Sequence, residues 1–403
     1  MDRKRQCLSN GSTNPLNQDF LSCIIHFLDI PSICILLQTS KEFRFYVDKS
    51  KRDNRKIIKL EKLPSNSILF ENICYFQIDC ETIDNIPVKQ NETHLIYYQL
   101  PDKYRNSLFN TEHIWKFVMP FFSLISANVH YLDLSGLDGI TNVSALANFN
   151  HLNLSRCRNI TDVSALGNVH TLDLSCCDKI IDVSALGNVH TLDLSNCYEI
   201  TDVSALGNVH TLNLFGCDKI IDVSDLGNVH TLNLSYCDKI IDVSDLGNVH
   251  NLDLSNREYE IIDVSALGNV HTLNLSDCYE ITDVSALGNV HTLNLSGCDL
   301  IIDVSDLGNV HTLNLSRCDK ITDVSALGNV HTLDLSCYNH DSQITDVSAL
   351  GNVHTLDLHY CKKIKDVSDL VNVHTLYIRG CRGITDENIK LLKKRNPNII
   401  IHN

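Results

Sequence analysis

One 20-residue unit, V-H-T-L-(D/N)-L-S-x-C-x-x-I-(T/I)-D-V-S-(A/D)-L-G-N, recurs through most of this 403-residue chain. Self-similarity at that period limits the chain to a stacked architecture. The unit's histidine opens thirteen turns, at His130, His151, His170, His190, His210, His230, His250, His271, His291, His311, His331, His354 and His374. Steps are mostly 20 residues, with single-residue slips and one three-residue insertion near 338–343. Within a turn, Leu172 and Leu174 alternate with Thr171, Asp173 and Ser175. That is the period of a short strand with one buried face. Leu166 and Val169 before it, and Ile180 and Val183 after it, can point into the same coil. No single unit can bury such a face, but stacked units share one continuous core. Gly167 and Asn168 supply the turn into the next strand.

Identical residues stack into ladders in any solenoid of near-identical turns. Ten cysteines, from Cys157 and Cys177 to Cys361 and Cys381, share one position, which Leu137, Arg257 and Tyr338 occupy in three turns. A metal site wants paired ligands on one turn, and each turn offers one cysteine there. The expectation is a ladder of buried thiols at the strand-to-turn corner. The seventeen cysteines are odd in number and follow the repeat, which reads as free thiols in a reducing compartment. The histidines are expected as neutral imidazoles bridging turn backbone, with stability falling on protonation. The aspartates before Val-Ser, such as Asp162, Asp182 and Asp202, are expected to accept backbone amides and fix a turn. No metal and no cofactor is expected.

The spacing L-x-x-L-x-L-x-x-C resembles the cysteine-containing class of the leucine-rich repeat. The Ile-Thr-Asp that follows, intact at Ile160-Thr161-Asp162, Ile200-Thr201-Asp202 and Ile384-Thr385-Asp386, strengthens the resemblance. It covers roughly residues 128–403 and implies a parallel sheet on the concave side of an arc. These units are short for the family, so turn or 3₁₀ structure is expected on the convex side. Residues 387–394 read as a helix with Ile389, Leu391 and Leu392 apolar. Pro397 ends it, and 399–401 could form one more strand, giving an atypical terminal unit that caps the core.

Charge divides the chain. The net charge is −16, with 33 Lys and Arg against 49 Asp and Glu. Residues 1–60 carry 11 bases and 6 acids, 61–127 carry 5 and 8, 128–381 carry 12 and 33, and 382–403 carry 5 and 2. The acidic balance argues against nucleic acid as a partner and favours a basic target surface. No apolar run reaches the ~18 residues of a membrane span, so no membrane contact is expected. Residues 20–37 come nearest and are broken by His26, Asp29 and Pro31. Polar residues 9–18 separate the basic start from that stretch, unlike a secretory signal.

The mid-strand polar position holds Asp or Asn from Asp133 to Asp357, then Tyr377, and the arc's exposed face is where binding is expected. Departures from its uniformity are Phe215, Tyr236, Arg317, His359, Tyr360, Tyr377 and Arg379. Aromatic and Arg side chains are typical contact anchors, so these are the candidate target-binding residues.

Residues 16–47 have a different pattern. Asp19 can cap a helix, with Phe20, Leu21, Ile24, Ile25, Phe27 and Leu28 on a broad apolar face. Pro31 opens a second helix with Ile33, Leu36 and Leu37, and a third is expected through Phe43, Phe45, Tyr46 and Val47. The segment resembles the F-box. Leu16, Asp19, Phe20, Leu21, Ile24, Ile25, Phe27 and Leu28 match its first helix, Ile33 its second, and Ser40-Lys41-Glu42-Phe43-Arg44 its end. Asn17, Ser32 and Thr39 depart from the motif. The pairing with cysteine-containing leucine-rich repeats is known in that family, and the near-identity of units resembles repeat-rich proteins of giant DNA viruses.

The resemblance implies that Leu16, Phe20, Leu21, Ile24, Ile25, Leu28 and Ile33 dock on the S-phase kinase-associated adaptor of a cullin ubiquitin ligase, while the arc recruits a target protein. The alternatives are an interaction scaffold with no ligase link, these helices capping the first open turn, and an extracellular adhesin, which the free thiols disfavour. The basic run 49–59 reads as a solvated face. The expected organisation is a disordered 1–15, an F-box-like all-α segment 16–60, a connector or decayed repeats 61–127, thirteen repeats over 128–381 and a cap over 382–403. The fold class is an α/β solenoid, a leucine-rich-repeat arc. With no nucleophile–base pair, phosphate loop or zinc signature, the chain reads as non-enzymatic, and as cytoplasmic, in a host cytoplasm if viral.

Overall fold

The computed structural model describes residues 131–255, 261–337 and 342–403, and before them three short strands. The chain divides into two units, Met1–Asn153 and Leu154–Asn403.

In the first unit, Tyr46–Lys49 pairs antiparallel with Lys56–Lys59, which pairs antiparallel with Phe76–Ile78. Tyr46 and Val47, expected in a third helix, therefore lie in a strand. Their aromatic and β-branched side chains favour a pleated surface, and Val47 is paired with Ile58. The rest of the F-box-like segment, with all its adaptor-docking residues, lies outside the described residues. The unit ends on two parallel strands, Tyr131–Asp133 and His151–Asn153, with Leu132 opposite Leu152.

In the second unit, twelve three-residue strands, from Thr171–Asp173 to Ile400–His402, follow one another in sequence order in a parallel sheet. In the second unit the register repeats the sequence: Leu172 pairs with Leu192, Leu192 with Leu212 and Leu212 with Leu232. Most described turns leave their strand through a corner with positive φ, as at Asn196 and Tyr236. Asn tolerates that region better than most residues, and glycine takes it freely at Gly216, Gly297 and Gly380. The return runs through 3₁₀ helices such as Ser184–Leu186 and Ser224–Asn228, as the shortness of the units requires.

Leu172, Leu174, Cys177, Ile180, Val183, Leu186 and Val189 are almost wholly buried, and the equivalent side chains of other turns repeat the pattern. Each is worth ~1.5–3 kcal/mol on burial, and that contribution exists only because a neighbouring turn covers it. A glycine in the 3₁₀ return permits this spacing: a Cβ on Gly247, within Ser244–Asn248, would collide with the Ala266 carbonyl of the next turn.

The terminal helix spans Asp386–Arg395, one residue longer at each end than its apolar pattern predicts. Thr385 and Asn388 form a reciprocal capping box at its start. Leu392 is buried, while Leu391 faces solvent. At the other end, Asn396 Nδ2 donates to the Val373 carbonyl at 2.7 Å and Arg395 to the Ser368 carbonyl at 2.8 Å. The strand Ile400–His402 pairs with Thr375–Tyr377 and ends the sheet. Among the described residues, no helix is long and apolar enough to cross a membrane.

Candidate protein-binding site

The polar ladders are first of all structural. Asp182 Oδ1 accepts the Ser184 amide at 2.9 Å, and Asp202, Asp222 and Asp242 repeat the bond two residues on. Hydrogen bonds from the Ser184 hydroxyl and amide hold Asp182 below the usual carboxylate value. The mid-strand row does the same at the strand exit, where Asp193 Oδ1 accepts the Ser195 amide at 2.8 Å. Neighbouring turns are also laced together, Asn213 Nδ2 donating to Asp193 Oδ2 at 2.9 Å. The row is thus half-buried and largely engaged, and it leaves a flat polar surface between departures.

The cysteine ladder is buried, and the twelve described cysteines are free. From Cys177 on, the thiols at the shared position donate to a leucine carbonyl of the preceding turn, as Cys197 does to Leu174 at 3.2 Å. Burial pushes the Cys197 thiol up to about 12. Cys337 joins the ladder although it sits one residue ahead of the shared position: it is 3% exposed, where the equivalent Arg317 faces outward. The only sequence signal is a cysteine beside the position that Tyr338 holds.

The histidines do not bridge turn backbone. Their side chains are exposed and stack on one another, because the in-register sheet sets the rings one strand spacing apart. Centroids from His170 to His374 are separated by 4.6–4.8 Å, most pairs lying within 13° of parallel. Nδ1 of most rings lies beside the next side chain, as in His230 to Thr231 Oγ1 at 3.2 Å. Partial desolvation, then the flanking imidazoles, hold His190, His230, His271 and His331 below the ordinary histidine value.

The seven candidate target-binding residues fall into three columns. Tyr377 is mid-strand, Phe215, His359 and Arg379 are two residues further on, and Tyr236, Arg317 and Tyr360 occupy the positive-φ corner. Two clusters result. Phe215 and Tyr236 meet with centroids 5.0 Å apart. At the C-terminal end, Tyr377 lies 5.5 Å from His359 and stacks on His402 at 4.5 Å and 12°. His359 Nδ1 sits 2.8 Å from Asp357 Oδ1, and Tyr360 lies over Gly380, where a Cβ would meet its ring. Asp334, on the adjoining strand, is pushed above the usual carboxylate value by burial. Arg317 stands apart, bridging past Gly297 to Asp277 at 3.3 Å. His402 belongs to the C-terminal cluster without belonging to a repeat. Its signal is the Ile400-Ile401-His402 register against Thr375-Leu376-Tyr377.

The fold is similar to that of solved repeat proteins. An internalin, inlF, from Listeria monocytogenes superposes with a TM-score of 0.52 at 22% identity, over 70% of this chain and 88% of that one. The fold is a leucine-rich-repeat solenoid. The functional domain of InlJ from Listeria monocytogenes, which includes a cysteine ladder, matches at a TM-score of 0.39 and 20% identity, over 64% of this chain and 74% of that one. A chain of the Rad7 and Elc1 complex in yeast matches at 0.37 and 16%, over 72% and 92%. No protein-family model matches this chain, and no curated protein does.

Proposed function

We propose that this chain is a non-enzymatic protein-binding scaffold whose sheet face carries the target-binding site. The observation that supports this best is the C-terminal cluster. On a sheet face of small polar side chains, Tyr377 lies against both His359 and His402, with exposed Arg379 beside them. Rigid aromatic groups with an Arg are the side chains that dominate protein interfaces. The Phe215–Tyr236 pair supplies a second anchor. The histidine and aspartate ladders are accounted for by stacking and turn formation, which leaves binding as the reading of the surface. A photo-crosslinking amino acid at position 377 should trap a protein partner, and one at exposed Ser348, away from the sheet face, should not. Equal trapping at both positions would argue against a sheet-face site.

The finer reading is a substrate receptor of a cullin-type ubiquitin ligase. It rests on the F-box-like pattern of Leu16, Phe20, Leu21, Ile24, Ile25, Leu28 and Ile33. In it, those side chains dock on the S-phase kinase-associated adaptor, the repeats hold the target, and proximity raises the target's effective concentration near the ligase. The other reading, a scaffold with no ligase link, predicts no adaptor binding.

A further inference from the structure

The residue after each turn's buried isoleucine is Thr at 201, 282 and 322, but Ile at 181, 221, 241, 262 and 302. Its side chain points outward: those isoleucines are 55–63% exposed, while Ile220, Ile240 and Ile261 beside three of them are buried. Ile221, Ile241 and Ile262 fall on consecutive turns, whose strands pair in register. They form an apolar strip between the sheet and the 3₁₀ segments. Three such side chains together approach the ~300 Å² at which apolar patches tend to mark interaction sites.

The strip has an acidic flank. Asp222, Asp242 and Asp263 are exposed beside it, each fixed by the amide of the serine two residues on. Asp225 and Asp245, in the 3₁₀ segments of two of these turns, add two more carboxylates. Of the two lysines on the other flank, Lys219 is paired with Glu199 at 2.7 Å and Lys239 is exposed, so acids outnumber bases. At the strip's end a groove of about 290 Å³ is lined by Thr201, Asp202, Ser204, Asp222 and Asp225.

We propose that this strip docks a basic amphipathic helix of a partner protein, laid along the stacking direction. Spacing and charge both select that occupant. Turns here are 4.6–4.7 Å apart, measured on the histidine rings of the same turns. An α-helix advances ~4.5 Å in three residues, so an apolar face at i, i+3 steps meets successive isoleucines. Lys or Arg beside that face meets Asp222, Asp242 and Asp263, and the groove takes one such side chain between Asp202 and Asp225. The strip is separate from the sheet-face cluster, so this chain carries two binding surfaces.

The test uses the full chain and a synthetic Leu/Lys amphipathic helix of about 18 residues, long enough to hold helical structure. Ile221→Thr, Ile241→Thr and Ile262→Thr together install the residue that neighbouring turns already carry, so the fold is retained, as circular dichroism can check. Asp225→Ala with Asp245→Ala likewise copies Ala185 and Ala205. Fluorescence anisotropy at physiological salt should show binding by wild type. The isoleucine triple should bind about tenfold more weakly or worse, a loss of ~1.4 kcal/mol. The aspartate pair should bind more weakly with a shallower salt dependence, and a Leu/Glu helix should not bind. An isoleucine triple that binds as wild type does would reduce the effect to attraction by an acidic chain and overturn the proposal, as would no binding by wild type.

Discussion

Cys361 donates its thiol to the Leu335 carbonyl at 3.2 Å, across the one turn that carries an insertion. Across 20-residue steps the same bond joins residues 23 apart, as in Cys197 to Leu174, across the single-residue slip at Cys278 it joins residues 24 apart, and here it joins residues 26 apart. The ladder bond is kept across that longer step, and Cys337 is buried one residue ahead of the shared position.

Buried ladder thiols should be chemically silent in the folded chain. Burial pushes Cys318 up to about 12 and Cys381 up to about 11, and the thiolate is the reactive form. Cys176 is half-exposed at a positive-φ corner. Among the described cysteines, iodoacetamide at mildly alkaline pH should modify Cys176 first and the ladder only after unfolding, as peptide mass spectrometry would show. Native-state alkylation of Cys197 at the rate of Cys176 would contradict this placement.

Cys217→Ala should destabilise the fold by ~1–2 kcal/mol, from lost packing and the lost thiol bond to the Leu194 carbonyl, which keeps only the Cys197 amide. Cys217→Ser should restore the donor but bury a more polar group. Urea unfolding of the three chains measures both effects.

Two glycines separate close packing from backbone strain. On Gly247 a Cβ would collide with the Ala266 carbonyl, so Gly247→Ala should cost ~1–3 kcal/mol. Gly136 has φ +72° with open space around it, so Gly136→Ala should cost only the left-handed penalty, ~1 kcal/mol. Thermal melts of both variants should rank them in that order.

Two ladders set two pH windows. Unfolded histidines titrate near ~6.5, and His190, His230, His271 and His331 are held lower in the fold. The unfolded chain therefore binds more protons as pH falls below that value, and stability declines there. Asp182, Asp202 and Asp222 are held below the usual carboxylate value, so their contribution is present above it and lost as pH falls through their lower folded values. The melting temperature should fall first from about pH 6.5 downward and again below about pH 4. A flat profile between pH 8 and pH 5 would contradict the histidine account.

The core was legible because its period is simple. Leu172, Leu174, Cys177, Ile180, Val183, Leu186 and Val189 all read as apolar positions of one coil, and all are buried. The short unit likewise implied 3₁₀ returns, and the aspartates before Val-Ser implied turn-fixing bonds. What repetition hides is orientation. Ile220 and Ile221 are identical in sequence, yet one is buried and the other exposed, because the corner's geometry decides which points inward. Histidine stacking follows from strand register, not from anything in the V-H-T pattern. The three-way split of the departures, with Arg317 apart and His402 included, depends on positive φ at the corner and on pairing with a strand outside the repeats. Tyr46 and Val47 carried a helical spacing that strand pairing overrode.

The most direct test of the functional account is binding of the tagged chain to the purified S-phase kinase-associated adaptor, wild type against a variant carrying Leu28→Asp and Ile33→Asp. The account predicts capture by wild type and loss in the variant, with the melting temperature of the repeats unchanged. No capture by a folded wild type, or equal capture by both chains, would contradict the receptor role and leave the scaffold reading.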